Sequence, residues 1–196
     1  AGTSGVHGSP LGDDEITKTR NQLGWEHGPF DIPKNIKSEW DAKEAGSNLN
    51  SEWDALMDEY SKKHPLLFNE LERLINNKFP NDFEKHYEEF LEGLVAADQK
   101  DMATRKASEV CLNFFCEQLP ELIGGSADLT GSNNTYSSAS SELLPDNPQG
   151  NHIFYGVREF GMTAMMNGML LHGGIKPYGG TFLVFMDYAR NAVRLA

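Results

Sequence analysis

Basic residues are scarce in this chain of 196 residues: 17 lysines and arginines stand against 29 aspartates and glutamates, a formal net charge of −12. The few cations form no run. Nucleic-acid binding draws its affinity from clustered Lys and Arg on phosphates, so that class is excluded. Long apolar stretches are missing as well. The most apolar window, Met162 to Leu171, falls well short of the roughly twenty residues a membrane span needs, and it predicts a buried helix instead. Cysteine is nearly absent. Cys111 and Cys116 sit on different faces of a predicted helix, form neither a metal knuckle nor a disulfide pair, and suit a reducing, intracellular compartment. The acidic residues are many, yet no spacing among them calls for a metal held by protein side chains alone. No signal or transit peptide is visible, and there is no initiator Met. The chain opens in a loop pattern and closes in a helix pattern, so it is expected to be an internal piece of a longer protein. A hydrophobic content of 39% permits a packed core.

What is present changes character along the chain. Residues 1–12 are rich in glycine, serine and proline and predict a loop. Asp13 and Asp14 are expected to cap a helix that runs to about Gly24. WEHGPFDIPKNI is expected to be extended, broken by Pro29 and Pro33. Trp53, Leu56, Met57 and Tyr60 recur at helical spacing, with Ser51 as the expected cap and Pro65 as the stop and restart. Leu67, Phe68, Leu71, Leu74 and Ile75 form the next stripe, and Phe83, Tyr87, Phe90, Leu91 and Leu94 another. Residues 34–95 therefore predict a solvated, amphipathic helical connector that packs its stripes on a larger body. From about residue 100 the pattern alternates. Thr104 is expected to cap TRKASEVCLNFFCEQL; ELIGG and HIFYG are short strands; Arg158 to Leu171 is a helix; IKPYGGTFLVF is turn plus strand-like residues; Met186 to Ala196 is a helix. That alternation predicts an open parallel α/β sheet, with ligands in the loops that follow its strands.

The richest stretch runs from Tyr155 to Tyr188. YGVREFGM places Glu159 at the mouth of an apolar helix, and KPYGGTFLVFMDYA supplies Phe182, Phe185 and Tyr188 at helical spacing. A carboxylate in apolar surroundings can exchange protons near neutral pH. Aromatics at three-residue intervals make a wall for a flat ring. Together they are what an enzyme needs to activate a nitrogen heterocycle as cofactor. The bland alternatives are an ion pair between Glu159 and Arg158, and plain core packing for the aromatics.

These motifs follow one another in a fixed order: HGSPLGDDEI from His7, WDAKEAG (40–46), TRKASE (104–109), ELIGGSADLTGSNNT (121–135), then YGVREFGM, PYGGTF and YARNAVRLA. The chain resembles the transketolase family over nearly its whole length. The resemblance implies an α/β thiamine-diphosphate-binding fold, a partial parallel sheet flanked by helices and preceded by the amphipathic connector. It implies a tail of the diphosphate-binding domain over 1–80, a connector over 81–100, and the first part of a pyrimidine-binding domain over 101–196. The implied activity is transfer of a two-carbon ketol unit from a ketose phosphate to an aldose phosphate, as in the pentose phosphate pathway and the Calvin cycle. The related alternatives are dihydroxyacetone synthase, deoxyxylulose-phosphate synthase and a non-catalytic module of the same fold. WDAKEAG and the long connector favour transketolase over deoxyxylulose-phosphate synthase.

The site residues follow by resemblance. Glu159 matches the glutamate that shares a proton with a pyrimidine nitrogen of thiamine diphosphate and so promotes loss of the thiazolium carbon-2 proton. Phe182, Phe185 and Tyr188 match the aromatic pocket around the pyrimidine, and Asp128 matches an aspartate near the cofactor rings; a turn carboxylate is its plain alternative. Arg105 and Ser132 match residues that hold the substrate phosphate, for which arginine's planar fork is suited. Gly131 stands where the family usually has proline. His7 matches a histidine near the cofactor diphosphate and the reacting carbon, contacting cofactor and substrate. A Gly-Asp-Gly opening and closing Asn that bind the diphosphate and a divalent metal, magnesium or calcium, do not occur in that arrangement. They are expected upstream of Ala1, with further domain sequence downstream of Ala196, and the fragment alone is expected to be inactive. The family shares its active site across a homodimer, so His7 and Glu159 would serve different sites of one dimer, in cytoplasm or plastid.

Overall fold

The computed structural model describes residues 4–97 and 101–196, so the expected loop over 1–12 and connector over 81–100 lie partly outside the described residues. The chain divides into two compact units, Ala1–Glu59 and Tyr60–Ala196.

In the first unit a 3-10 turn, Ser4–Val6, precedes α1 (Asp13–Leu23), α2 (Lys34–Trp40) and the start of α3 (Lys43–Lys63). Asp13 and Asp14 do not cap α1. They lie with Glu15 in its first turn, where negative charge meets the positive end of the helix dipole, and Gly12 is the cap residue at φ 80°. Gly24 closes α1 in the left-handed region, its N–H reaching the carbonyls of Arg20 and Asn21. α2 begins directly behind Pro33, inside the stretch expected to be extended. Ser51 is not a cap either. It lies within α3 and donates its hydroxyl to the Ser47 carbonyl one turn back at 2.9 Å.

The second unit holds the end of α3, then α4 (Pro65–Ile75), α5 (Phe83–Ala96) and α6 (Thr104–Gln118). Pro65 opens α4 at a position where its missing N–H costs nothing. Ala103, not Thr104, is the cap of α6; Thr104 is already helical. The stripe of α5 packs on α6: Phe90 stacks on Phe114 at 4.4 Å between ring centres, and Phe83 and Tyr87 both lie within 6.4 Å of Phe115.

After α6 come β1 (Leu122–Ser126), α7 (Thr130–Asn133), β2 (His152–Phe154), α8 (Glu159–His172), β3 (Lys176–Gly180), a 3-10 turn (Leu183–Phe185) and α9 (Met186–Leu195). The expected parallel sheet forms, flanked by helices, in the order β2-β1-β3. Gly124 of β1 pairs with His152 and Tyr178, and Gly125 with Ile153 and Gly179. A side chain at Gly125 would run into the Ile153 carbonyl, so the middle strand needs glycine there. A small core of Ala127, Tyr155 and Met162, with Ile153 and Met166 against it, lies behind the carboxyl ends of the strands. Ala189 and Ala192 are buried where α9 meets α8, and Asn167 donates to the Ala192 carbonyl at 2.9 Å.

Two expectations change here. The strand-like residues after Gly180 turn instead into a 3-10 turn and a helix. α8 is apolar as expected but not buried: only Glu159 and Met162 are, and Leu171 is 89% exposed. Its composition records its apolarity and says nothing of what covers it.

The connector is also more than a solvated element. At the amino ends of the strands, Arg73 of α4 lies against Glu121, which is 4% exposed and directly precedes β1. The guanidinium makes a two-pronged contact with that carboxylate at 3.0 and 2.9 Å and another with Glu70 at 2.8 and 2.6 Å, and it donates to the Lys78 carbonyl at 2.7 Å. Its five N–H groups all have acceptors. Lys176, first residue of β3, stands 3.5 Å from Glu121 and donates to Asn77 at 2.7 Å. Burial pushes the Glu121 carboxyl up, but the hydrogen bonds from Arg73, a backbone hydrogen bond and the charges of Arg73 and Lys176 together outweigh it and hold it below the usual carboxylate range. Hydrogen bonding by Arg73 likewise lowers the Glu70 carboxyl, and the two carboxylates raise the already basic guanidinium.

Candidate cofactor and substrate site

The candidate residues of the second unit gather at the opposite, carboxyl edge of the sheet. Asp128 follows β1, Glu159 follows β2, and Phe182 follows β3. α6 runs back toward the start of β1, which brings its first turn, with Arg105, to the same edge. Ser126 sets the geometry. Its buried hydroxyl donates to the Gly180 carbonyl at 2.9 Å and accepts from the Leu129 N–H at 3.1 Å and the Asn133 amide at 2.9 Å. One group thereby ties the end of β1 to the end of β3 and to α7. Asp128 then takes the left-handed conformation at φ 61°, which aspartate tolerates better than most residues.

Glu159 is the first residue of α8 and only 8% exposed. The ion pair with Arg158 does not form. Arg158 turns its Nη1 to the Tyr155 carbonyl at 2.8 Å, a fold-back that fits because Gly156, at φ 68°, has no side chain in its way. The Glu159 carboxylate thus faces a cavity of about 460 Å³, lined also by Ala127, Asp128, Leu129, Val157, Phe185 and Tyr188. Phe182, Phe185 and Tyr188 form a continuous ladder: Phe182 and Phe185 stack at 6.0 Å and 14°, Phe185 and Tyr188 at 6.1 Å and 25°. Phe182 faces a second cavity of about 650 Å³, and Arg105 and Ser132 line that one with it.

The site thus has two compartments sharing one aromatic partition. The first offers two carboxylates, an apolar floor and ring faces. The second is lined by a guanidinium and hydroxyls together with Met162, Met166 and Leu183. Sequence reasoning took Thr104 only as a helix cap and did not single out Ser108 and Thr163; all three also line the second cavity, and Ser108 lies one turn from Arg105 on the same helix face by spacing alone. His7 belongs to the first unit, where it is exposed and its N–H donates to the Ser4 carbonyl at 3.0 Å. Among the described residues no group of three or more His, Cys, Asp or Glu side chains could hold a metal. None of the described helices is long and apolar enough to cross a membrane.

A parallel sheet with an acid and an aromatic wall at its carboxyl edge defines an α/β domain whose loop edge is shaped to take a flat ring. The comparisons agree. The family model described as "Transketolase, pyrimidine binding domain" matches residues 100–196, and "Transketolase, thiamine diphosphate binding domain" matches residues 1–80. Transketolase 1 of Aliivibrio fischeri is 50% identical over 195 residues, which is 100% of this chain and 29% of that protein. Transketolase 2 of Vibrio vulnificus is 48% identical over 196 residues, with the same shares covered. Among solved structures, a Pichia stipitis transketolase variant in complex with fructose 6-phosphate superposes with a TM-score of 0.81 at 35% identity, covering 97% of this chain and 29% of that one. Transketolase from Leishmania mexicana gives a TM-score of 0.80 at 32% identity, covering 97% and 28%. The chain belongs to the transketolase family. It spans about three tenths of the length of the curated relatives it matches.

Proposed function

We propose that the full-length protein carrying this chain transfers two-carbon ketol units between sugar phosphates with thiamine diphosphate. The observation that carries the reading is the pairing of the two compartments across Phe182 and Phe185. The first compartment suits the aminopyrimidine: ring faces of Phe185 and Tyr188 for stacking, an apolar floor, and the Glu159 carboxyl free of the Arg158 pair. When bound there, thiamine diphosphate supplies a nucleophilic carbon and an electron sink for the two-carbon unit.

This chain's own residues then have distinct tasks. Glu159 would hold or release a proton toward a ring nitrogen of the bound cofactor, a task that needs an acid rather than an amide. Phe185 and Tyr188 fix the ring plane, and Asp128 borders the same space. Arg105 and Ser132 hold the phosphate of the sugar, the guanidinium as a charged fork and the hydroxyl as a donor. His7 would contact the cofactor diphosphate and the substrate near the reacting carbon. The diphosphate and its divalent metal are held by other parts of the full-length protein, and the active site is shared in a homodimer. In domain terms, residues 1–80 end the diphosphate-binding domain, 81–100 connect, and 101–196 begin the pyrimidine-binding domain. The free thiols Cys111 and Cys116 fit an intracellular setting.

The deciding assay follows ketol transfer by the full-length protein from a ketose phosphate to an aldose phosphate, with and without thiamine diphosphate. Cofactor-dependent transfer is expected. A folded protein that binds the cofactor and transfers nothing overturns the reading in favour of a binding module.

A further inference from the structure

His152 opens β2 and is fully buried. Its ring sits between Tyr136 and Phe154, each at 4.8 Å between centres. Its backbone is bonded on both sides, the N–H to the Ser141 carbonyl at 2.9 Å and the carbonyl from the Leu143 N–H at 2.8 Å. The ring Nε2 lies 3.4 Å from the Thr130 hydroxyl, while Nδ1 is buried with no partner among the described residues. Thr130 is the first residue of α7, the single turn that carries Ser132 to the second cavity. That turn is fastened further through Ser126, whose hydroxyl accepts from the Leu129 N–H just before it and from the Asn133 amide at its far end.

We propose that His152 is a positioning residue that seats α7, and with it Ser132, and that it does so only as the neutral imidazole. The inference rests on the reading of Ser132 and Arg105 as the phosphate end of the site. A charged ring carries an N–H at both nitrogens, and Nδ1 has no acceptor. A buried, unpaired charge is costly, so charging the ring drives it out of its slot and removes its hold on the Thr130 side chain. Among the groups packed on it, Tyr136, Phe154 and Thr130 carry no charge, and Glu142, the charged neighbour, is exposed. Burial pushes the imidazole below its ordinary value, and Glu142 only partly opposes this. The folded protein therefore resists charging more than the unfolded chain does. Stability from this residue is complete above the ordinary value of 6.5 and falls as pH drops below it, toward the lowered folded value.

The test uses the full-length protein with His152→Phe and His152→Gln, neither of which titrates. In the parent, KM for a ketose phosphate, divided by KM for an unphosphorylated donor, is expected to rise several-fold as pH is taken from about 8 to about 4.5, with the rise setting in only below the ordinary imidazole value. The donor phosphate titrates near pH 6 in parent and variants alike, so the difference between them is the readout. Both variants are expected to lose the excess rise, with kcat for the unphosphorylated donor following the same pH profile in all three proteins. An unchanged rise in either folded variant overturns the proposal. If neither folds, deuterium exchange at the histidine carbon 2 in the parent decides: His152 neutral at about pH 6 supports the proposal, and His152 charged there overturns it. Should Arg105→Ala fail to discriminate against phosphorylated donors, the functional reading falls instead. The loss of thermal stability below about pH 6.5, present in the parent and absent in both variants, then still reports the seating role.

Discussion

The two ends of the small sheet are built on opposite terms. At the amino edge, Arg73, Glu70, Glu121 and Lys176 satisfy one another, and all five guanidinium N–H groups of Arg73 are taken. At the carboxyl edge, Glu159 has been left out of the pair that its neighbour Arg158 could have offered, and the ring faces of Phe185 and Tyr188 line an open cavity. One edge has its polar capacity fully used within the chain. The other holds capacity in reserve for a ligand. A saturated edge can anchor a connector helix but has nothing left to bind with; an unsaturated edge is held in place only because the rest of the sheet is fixed.

This contrast can be broken most sharply at Glu159. Glu159→Gln in the full-length protein keeps shape and hydrogen bonding but removes the acid, and turnover is expected to fall about a hundred- to ten-thousandfold. The carbon-2 proton of bound thiamine diphosphate should exchange into heavy water correspondingly slowly, while fold and thermal stability hold. Exchange at the parental rate would show that Glu159 is not the activating acid.

The amino edge should answer in stability, not in chemistry. Arg73→Leu leaves the buried Glu121 with only Lys176, 3.5 Å away, as a charge partner, and is expected to cost about 3 kcal/mol in denaturant unfolding. The double change Arg73→Leu with Glu121→Leu should recover part of that loss. A single variant as stable as the parent would mean that the clamp is dispensable.

Arg105→Ala sharpens the division between compartments. A lost charged hydrogen bond is worth roughly 1.5–3 kcal/mol, so kcat/KM for phosphorylated donors should drop about ten- to a hundredfold. Unphosphorylated donors such as hydroxypyruvate should change much less. An equal loss for both donor types would make Arg105 a structural residue.

The smallest effect expected is acid sensitivity at the clamp. Glu121 and Glu70 have folded values below the ordinary 4.5, so their contribution is complete above that pH and is lost as pH falls through the lowered values. Parent and double variant should therefore converge in stability below about pH 4. Parallel curves down to about pH 2 would remove the clamp as the cause.

Local features were legible in the sequence, and features made by distant residues were not. The strands ELIGG and HIFYG, the helix after Arg158 and the aromatic spacing through Tyr188 all stand in the structure because each is set within a few residues. Caps were misplaced at Asp13, Ser51 and Thr104, since the cap is decided by backbone torsions that Gly12 and Ala103 adopt without any side-chain signature. The pairing of Arg73 with Glu121 spans 48 positions, beyond the reach of any spacing rule. Likewise, the assignment of Phe182 to one compartment and Phe185 to the next depends on the 3-10 turn that replaced an expected strand.

Ser126 also bears on the order in which the molecule acquires its site. Its hydroxyl bonds a carbonyl 54 residues further along the chain, so the anchor for Asp128 and α7 is complete only after β3 has docked. β1 and α6 can associate earlier through nearby contacts, because short loops close at less entropic cost than long ones. The carboxyl edge is thus a late-assembling part of the sheet. Its amides, those of Leu129 and Ser132 among them, should exchange with solvent through smaller openings than the Leu122 and Gly124 amides at the clamped edge.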